Sequence, residues 1–264
     1  MSKRIRIFAG PNGSGKTTII NQIRDYKVND ERSLDFGIYI NADDIVVKLR
    51  ESQCDISDYE IVFDKEEFDE IVRNTGLINE EFNFQRFSEC LIYTGNTISI
   101  DHGNAGKAED NAYERIAQIL ADYLRNKLLN SEKKFSFETV FSHEGKVRFI
   151  REAKEAGYKV YLYFVATEDP EVNIYRVKQV RVKQNGHDVP EDKIRSRYYR
   201  SLELLHEAAQ YCYQVFFFDN SKDGNTDGMF AHFKLNADGV KIWDDIEEER
   251  VPQWFYKYYS DKNQ

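Results

Sequence analysis

The first residues that could perform chemistry lie in the segment FAGPNGSGKTTI, residues 8–19. A glycine, four further residues and then Gly-Lys-Thr form the spacing of a phosphate-binding (Walker A) loop. Glycine adopts the positive φ angles that let successive backbone N–H groups turn toward an anion. The segment therefore predicts a loop around the β- and γ-phosphates of a nucleotide, formed by Gly10, Asn12, Gly13, Ser14, Gly15, Lys16, Thr17 and Thr18.

Two side chains of this loop have specific expected roles. Lys16 would place its charge along the phosphates, and Thr17 would offer its hydroxyl to Mg²⁺. A helix beginning near Lys16 would direct its partially positive end at the same anion. The alternative interpretation is a glycine-rich turn whose lysine has no catalytic role.

Other motifs distinguish among the reactions that phosphate-binding loops serve. The chain contains no L-S-G-G-Q segment and no strand that ends in Asp-Glu, as a transporter-type ATPase would need. In VFFFDN, Asn220 replaces the glutamate that would activate water, and the letters of NSKD, residues 220–223, are in the wrong order for the N-K-x-D motif of a GTPase. These absences favour a kinase.

A kinase needs a carboxylate that accepts or orients the proton of the acceptor hydroxyl. Asp43 follows the second predicted strand, at the sheet edge where such folds bind ligands, and could fill this role. Capping of the following helix is the alternative, for which Asp44 is the better candidate. Glu138 and Thr139 end the third predicted strand and are expected to bind the acceptor, although Glu138 could instead be an ion-pair partner.

A kinase also needs mobile cations that cover the transferred phosphoryl group. Four arginines surround a Gly-His turn in the lid segment, residues 170–200, and Arg176 and Arg181 are the candidate catalytic residues among them; the other two are Arg195 and Arg197. A solvated basic face is the alternative. His187, in the turn itself, either fixes the lid or binds the acceptor.

These residues must be positioned by an alternation of strands and helices. Helical segments connect five predicted strands, so the expected fold is α/β, a doubly wound, mostly parallel five-stranded sheet of P-loop NTPase type. The predicted strands are residues 4–9, 35–45, 134–142, 158–166 and 214–221.

The alternation predicts one kinase domain, residues 1–228, and a C-terminal extension, residues 229–264, that forms a hairpin and a helix packed on it. Residues 50–105 interrupt the pattern with 13 acidic and 4 basic residues, a balance of −9. This stretch is expected to be a largely helical insertion that shapes acceptor choice or receives a partner.

Composition limits the classes of partner. The 264 residues have a net charge of −9, which disfavours nucleic acid, and no run of eighteen apolar residues predicts a membrane span. The start MSKRIRIFAG has no signal-peptide pattern, so a cytoplasmic protein is expected. Cys54, Cys90 and Cys212 are isolated and are expected to be free thiols.

Five segments, in this order, resemble the zeta-toxin-like P-loop kinases over roughly residues 3–48 and 108–221. They are AGPNGSGKTT, INADDI, FETVFS, GYKVYLYFVA and RVKQVRVKQNGHDVPEDKIRSRYYRSLELL. The resemblance implies ATP and Mg²⁺, with transfer of the γ-phosphoryl group to a small-molecule hydroxyl. It also implies a UDP-amino-sugar acceptor such as UDP-N-acetylglucosamine, and a small antitoxin protein that covers the nucleotide site.

Carried onto this chain, the resemblance assigns the base to Asp43, the ATP lysine to Lys16, the acceptor-binding acid to Glu138 and the first lid arginine to Arg176 or Arg181. The chain departs from the family pattern where it has a histidine at the second lid arginine and TVFS in place of a glycine-rich turn. The alternative function is an ATP-binding regulatory protein with slow hydrolysis, whose acidic insertion docks a partner.

Overall fold

The computed structural model describes residues 3–29, 32–108, 111–181, 189–222 and 228–263. The chain divides into two compact units, of which the first comprises residues 1–36 and 136–264 and the second residues 37–135. The strands are β1 (Arg4–Ala9), β2 (Lys27–Asn29), β3 (Arg32–Ser33), β4 (Ile38–Ile40), β5 (Gln53–Asp55), β6 (Leu91–Thr94), β7 (Thr97–Ile100), β8 (Phe135–Thr139), β9 (Lys159–Ala166), β10 (Gln214–Asp219), β11 (Met229–Leu235) and β12 (Lys241–Trp243).

Eleven α-helices lie within the described residues. The α-helices are α1 (Lys16–Asp25), α2 (Ala42–Glu51), α3 (Lys65–Asn74), α4 (Phe84–Glu89), α5 (His102–Ala108), α6 (Ala112–Asn130), α7 (Glu144–Glu155), α8 (Pro170–Tyr175), α9 (Glu191–Glu203), α10 (Leu205–Ala209) and α11 (Gln253–Phe255). Arg176–Arg181 and Tyr256–Ser260 are π-helical, and short 3₁₀ turns cover Ile56–Tyr59, Glu248–Arg250 and Asp261–Asn263.

A mixed α/β architecture with a mostly parallel sheet organises the first unit. Its strands lie in the order β12, β11, β10, β9, β1, β8, with β9 parallel to both β1 and β10. All five predicted strands are present, but the expectation of a five-stranded sheet omitted two: β11 pairs antiparallel with β10, and β12 with β11. The difference arises because the predicted C-terminal hairpin extends the sheet edge.

Stacked rings hold the parallel strands together on one face of this sheet. Phe8 stacks on Tyr163 with ring centroids 4.7 Å apart, and Tyr163 stacks on Phe216 at 4.6 Å. These residues are direct cross-strand partners, and such pairs stabilise a sheet by roughly 0.2–1 kcal/mol each. The carboxyl end of β1, where the glycine-rich loop begins, is therefore fixed by its neighbours.

Aromatic residues of the C-terminal segment bury the other face. Phe255 and Tyr259 contact Phe217 of β10, with ring centroids 5.0 and 4.9 Å apart. Trp254 packs edge-on against Phe230 of β11 at 5.5 Å. The tail thus completes the core of the first unit.

The second unit has its own core around α6. Tyr123 of α6 is fully buried, and its ring meets Phe68 of α3 at 5.3 Å and Phe63 at 5.7 Å. The expectation of a largely helical insertion was incomplete, because β5, β7 and β6 form a three-stranded antiparallel sheet within residues 50–105. A tight turn with Gly95 at φ 59° allows β6 to pair directly with β7.

Candidate active site

The glycine-rich loop connects β1 to α1 in the first unit. Gly13 and Gly15 have φ angles of 74° and 87°, which disfavour any residue with a side chain. A Cβ atom at Gly13 would lie 2.5 Å from the carbonyl oxygen of Asn173, and one at Gly15 would collide with the amide of Asn220. Both glycines are therefore required by left-handed backbone and by close neighbours.

Lys16, the first residue of α1, is buried beneath this loop. Its side chain is only 6% exposed, and Nζ donates hydrogen bonds to the carbonyl oxygens of Gly10 (3.1 Å) and Pro11 (3.0 Å). A buried ammonium is costly unless it is hydrogen-bonded and close to negative charge. The loop thus holds its cation in one fixed place.

Glu138 of β8 provides that negative charge. Its Oε1 lies 3.8 Å from Nζ of Lys16, and its Oε2 accepts a hydrogen bond from the Thr17 hydroxyl at 3.2 Å. The side chain of Glu138 is 13% exposed, so solvent screens the pair only partly. The structure therefore brings together three of the residues that the sequence analysis selected.

Asn220, directly after β10, closes the loop from the opposite side. Its side-chain amide donates to the carbonyl oxygen of Ser14 at 2.8 Å, and its own carbonyl accepts from Nη1 of Arg176 at 2.7 Å. Arg176 begins the π-helical segment after α8. One asparagine thus connects the loop to the first candidate lid arginine.

Asn12 connects the loop to two further elements. Its carbonyl oxygen accepts from the side-chain amide of Asn173 in α8 at 2.6 Å, and its side-chain oxygen accepts from Nη1 of Arg197 in α9 at 3.3 Å. Asn173 is fully buried and is itself bonded by the hydroxyl of Thr167. Both helices of the lid segment therefore contact the same loop residue.

The arginines of the lid segment differ in their electrostatic surroundings. Arg195 is exposed and forms an ion pair with Glu171, whose hydrogen bond raises the pKa of the guanidinium. Arg197 is half-buried, and burial together with the neighbouring Arg200 lowers its pKa. Arg195 is thus satisfied by a surface carboxylate, whereas Arg197 remains in an environment that disfavours positive charge.

Asp43 lies in the first turn of α2, in the second unit, and its side chain is exposed. The helix is capped by Asn41, whose side-chain oxygen accepts from the backbone N–H of Asp43 at 3.0 Å. The expectation that Asp44 performs the capping role was wrong, because the helix begins at Ala42 and the residue before it supplies the cap.

Four predicted site residues remain: two threonines that the structure describes, and two lid residues whose side chains lie outside the described residues. Thr139 is 9% exposed and Thr18 is exposed at the surface of α1. The side chain of Arg181 and the whole of His187 lie outside the described residues.

The loop fits the phosphates of a nucleotide in its donor chemistry as well as its shape. The Ser14 hydroxyl is fully buried and has no hydrogen-bond partner within the described residues, so its hydrogen-bonding capacity is left for a group that binds in the loop. The first turn of α1 contains no acidic residue that would repel an anion. The hydroxyl of Thr17, the expected Mg²⁺ ligand, donates to Glu138. No cluster of three or more His, Cys, Asp or Glu side chains suited to a metal ion occurs in the described parts of the chain.

Sequence reasoning missed Asn173 as a site residue and treated Asn220 only as a replaced glutamate. Both approach the loop from more than 150 positions away, so no local pattern reveals them. Arg197 was recognised as one of four lid arginines, but its contact with the loop residue Asn12 was not anticipated. The position of Asn220 just after the last parallel strand was the one available signal.

No helix in the described ranges has the length and apolar character needed to span a membrane.

No family model matches the chain. An uncharacterized protein of Haemophilus influenzae is 34% identical over 64 residues, which cover 24% of this chain and 45% of that protein. The match therefore spans less than half the length of this curated relative.

Solved structures show a more extensive likeness. A chain of the AvrRxo1-ORF1:AvrRxo1-ORF2 complex, crystallised with sulphate ions, is 14% identical with a TM-score of 0.51, and the match covers 97% of this chain and 63% of that chain. A structure of the PezAT chromosomal toxin-antitoxin system of Streptococcus pneumoniae is 14% identical with a TM-score of 0.43, over 98% of this chain and 79% of that one. The likeness to the AvrRxo1 complex shows a shared fold, and this chain spans 63% of that neighbour's length.

Proposed function

We propose that this protein is an ATP-dependent small-molecule kinase of zeta-toxin type, with the fold of a P-loop NTPase. It transfers the γ-phosphoryl group of ATP to a hydroxyl of a UDP-amino sugar or a similar nucleotide metabolite. The observation that supports this proposal most is the loop geometry: Lys16 is buried beneath a glycine-rich loop, with Glu138 3.8 Å away and bonded to Thr17.

Each part of the loop has a task in this proposal. The backbone N–H groups from Gly13 to Thr18 bind the phosphates, and Lys16 neutralises charge at the bridging and transferred groups. The Thr17 hydroxyl would hold Mg²⁺, which would neutralise charge on the phosphate oxygens. Arg176 and Arg181 cover the transferred group when the lid segment closes.

The acceptor is assigned to a second group of residues. Asp43 accepts or orients the proton of the acceptor hydroxyl, while Glu138, Thr139 and His187 bind the acceptor. A carboxylate and a hydroxyl are suitable partners for sugar hydroxyls, since together they accept and donate hydrogen bonds. The resemblance to zeta-toxin-like kinases supports a UDP-amino sugar as the specific acceptor.

A small antitoxin protein is the proposed macromolecular partner, which would make this chain the toxin of a toxin-antitoxin pair. One structural neighbour is a chain from a complex of two proteins, AvrRxo1-ORF1 and AvrRxo1-ORF2. The acidic stretch, residues 50–105, is a second surface on which a partner could act, or it shapes acceptor choice. Its balance of −9 suits a basic partner better than a phosphate.

An ATP-binding regulatory protein with slow hydrolysis is the second candidate function. The exposed Asp43, which is held in the first turn of a helix, and the acidic stretch are the observations that favour it. In this case the loop binds ATP but no acceptor is phosphorylated.

The two functions differ in the fate of the γ-phosphate. Protein is incubated with Mg²⁺, ATP labelled in the γ-phosphate and, separately, UDP-sugars, nucleosides and NAD. A kinase transfers label to one class of acceptor, whereas a slow ATPase releases only inorganic phosphate in every reaction. Lys16→Ala serves as the matched control, because transfer that depends on the glycine-rich loop should be lost in this variant.

A further inference from the structure

We infer that Arg197, on α9, binds a phosphate group held by the glycine-rich loop and serves as the second cation of the lid segment. The resemblance places this second cation at the position of His187. This inference rests on the proposed nucleotide site. Its basis is the contact between Nη1 of Arg197 and the side-chain oxygen of Asn12, at 3.3 Å, within the loop itself.

The charge of Arg197 is not compensated within the described residues. Neither a salt bridge nor a second hydrogen bond joins its guanidinium to a described carboxylate, and Asn12 offers only a neutral oxygen. Arg195, two positions earlier, is by contrast paired with Glu171 on the surface. A half-buried guanidinium whose one described partner is neutral retains donors for an anion such as a phosphate group.

The position of Arg197 is fixed by its neighbours on α9. The adjacent Tyr198 is buried, and its hydroxyl donates to the carbonyl oxygen of Thr167, just beyond β9, at 2.6 Å. Ile194 is also fully buried, in a cluster with Ile174 of α8. Because α9 is anchored on both sides, the guanidinium of Arg197 is held at the loop before any ligand binds, which reduces the entropy lost on binding.

Arg176 and Arg197 approach different parts of the loop. Arg176 reaches it through Asn220, which bonds the carbonyl of Ser14, whereas Arg197 reaches Asn12 directly. Two cations from successive helices therefore flank one glycine-rich turn. This arrangement suits a polyphosphate, whose charge is distributed over several groups.

Binding measurements test the assignment without requiring phosphoryl transfer. Affinities for ATP, AMP and inorganic tripolyphosphate are measured by calorimetry for the full chain and for Arg197→Met, which retains the apolar stem and removes the charge. Arg197→Lys retains a charge without the planar fork, and Arg200→Ala removes an exposed arginine one turn further along the same helix. Thermal unfolding of each variant verifies that it is folded.

We expect Arg197→Met to weaken ATP and tripolyphosphate binding by about 10- to 100-fold, the effect of losing a hydrogen bond between charged groups. AMP binding should change little, Arg197→Lys should recover part of the loss, and Arg200→Ala should bind like the parent. The salt dependence of tripolyphosphate binding should also fall in Arg197→Met, because one cation fewer meets the anion.

A purely structural role would give a different pattern. If Arg197 acts only by holding Asn12, then Asn12→Ala, Arg197→Met and the double variant lose the same affinity, which would overturn the inference. Unchanged polyphosphate binding in Arg197→Met overturns it while leaving the kinase proposal intact. If polyphosphate binding depends on Arg197 but no acceptor is phosphorylated, the inference is supported and the kinase proposal is contradicted. If the parent protein binds neither ATP nor tripolyphosphate, both are contradicted.

Discussion

At the residue scale, the site is organised by one buried cation and one carboxylate. Lys16 is held by two loop carbonyls, and Glu138 contacts both Lys16 and Thr17. The side-chain nitrogen of Lys16 points at these polar groups and not into the hydrophobic core. Its removal should therefore affect ligand chemistry more than packing.

Lys16→Ala should abolish phosphoryl transfer, with a loss of at least about 10²-fold, as expected when a preorganised group that stabilises transition-state charge is removed. The melting temperature should remain close to that of the parent. Lys193→Ala, which removes an exposed lysine of α9, is the control and should retain full activity. Substantial ATP-dependent transfer by Lys16→Ala would show that the loop is not the phosphate site.

Glu138→Gln should raise the KM for the acceptor and leave the Mg²⁺ concentration for half-maximal rate unchanged. The carboxylate lies beside both Lys16 and Thr17, where the transferred group and its acceptor meet in the proposed mechanism. Steady-state kinetics with acceptor and Mg²⁺ varied separately measure the two quantities, with Glu144→Gln, at the exposed start of α7, as the control. A shift in the Mg²⁺ requirement alone would instead assign Glu138 to the metal.

Asp43→Asn should lower kcat by about 10²- to 10⁴-fold, the usual contribution of a general base, with little change in ATP affinity. Asp44→Asn is a matched control, since both carboxylates are exposed in the first turn of α2. Each substitution should cost a similar and small amount of stability, about 0.3–1 kcal/mol, through the helix dipole. Equal kinetic effects of the two variants would argue against a catalytic role for Asp43.

At the element scale, the lid segment joins the loop through contacts that no local pattern encodes. Arg176 bonds Asn220, 44 positions away, and Arg197 bonds Asn12, 185 positions away. The glycine-rich loop and the five strands could be predicted, because they depend on local spacing and hydrophobic runs. The asparagines that fasten the loop could not, because their roles depend on which strand ends become neighbours.

The C-terminal segment shows the same limit of prediction from sequence, this time in the pairing of strands. Its hairpin could be anticipated from sequence, but not that β11 would pair with β10 and extend the sheet. In the acidic stretch, the helical spacing of α3 was visible, whereas the strands β5, β6 and β7 are three or four residues long. Strands of this length give a weak alternation signal.

Arg176→Ala should lower kcat by roughly 10²-fold, as removal of a comparable donor to transition-state charge does, while ATP affinity changes less. The reason is that the lid cations are needed when charge develops on the transferred group. Pre-steady-state transfer and equilibrium ATP binding measure the two effects. Arg151→Ala, an exposed arginine of α7, is the control; parental activity in Arg176→Ala would contradict the lid assignment.

At the scale of the whole molecule, an acidic protein retains a cationic site. The net charge is −9, yet Lys16 lies in the loop, Arg197 contacts it and Arg176 reaches it through Asn220. Local cations of this kind bind a small polyphosphate, while the overall charge opposes a nucleic acid backbone. The charge distribution thus agrees with a small-molecule substrate.

The identity of the phosphorylated product tests the central claim most directly. ³¹P NMR of a reaction that contains the protein, Mg²⁺, ATP and UDP-N-acetylglucosamine, with Lys16→Ala in parallel, follows every phosphorus atom. The proposal predicts a new phosphomonoester resonance that grows as ATP is converted to ADP, and none with Lys16→Ala. The proposal would be contradicted if ATP were converted only to ADP and inorganic phosphate, both with this acceptor and with the wider panel of UDP-sugars, nucleosides and NAD.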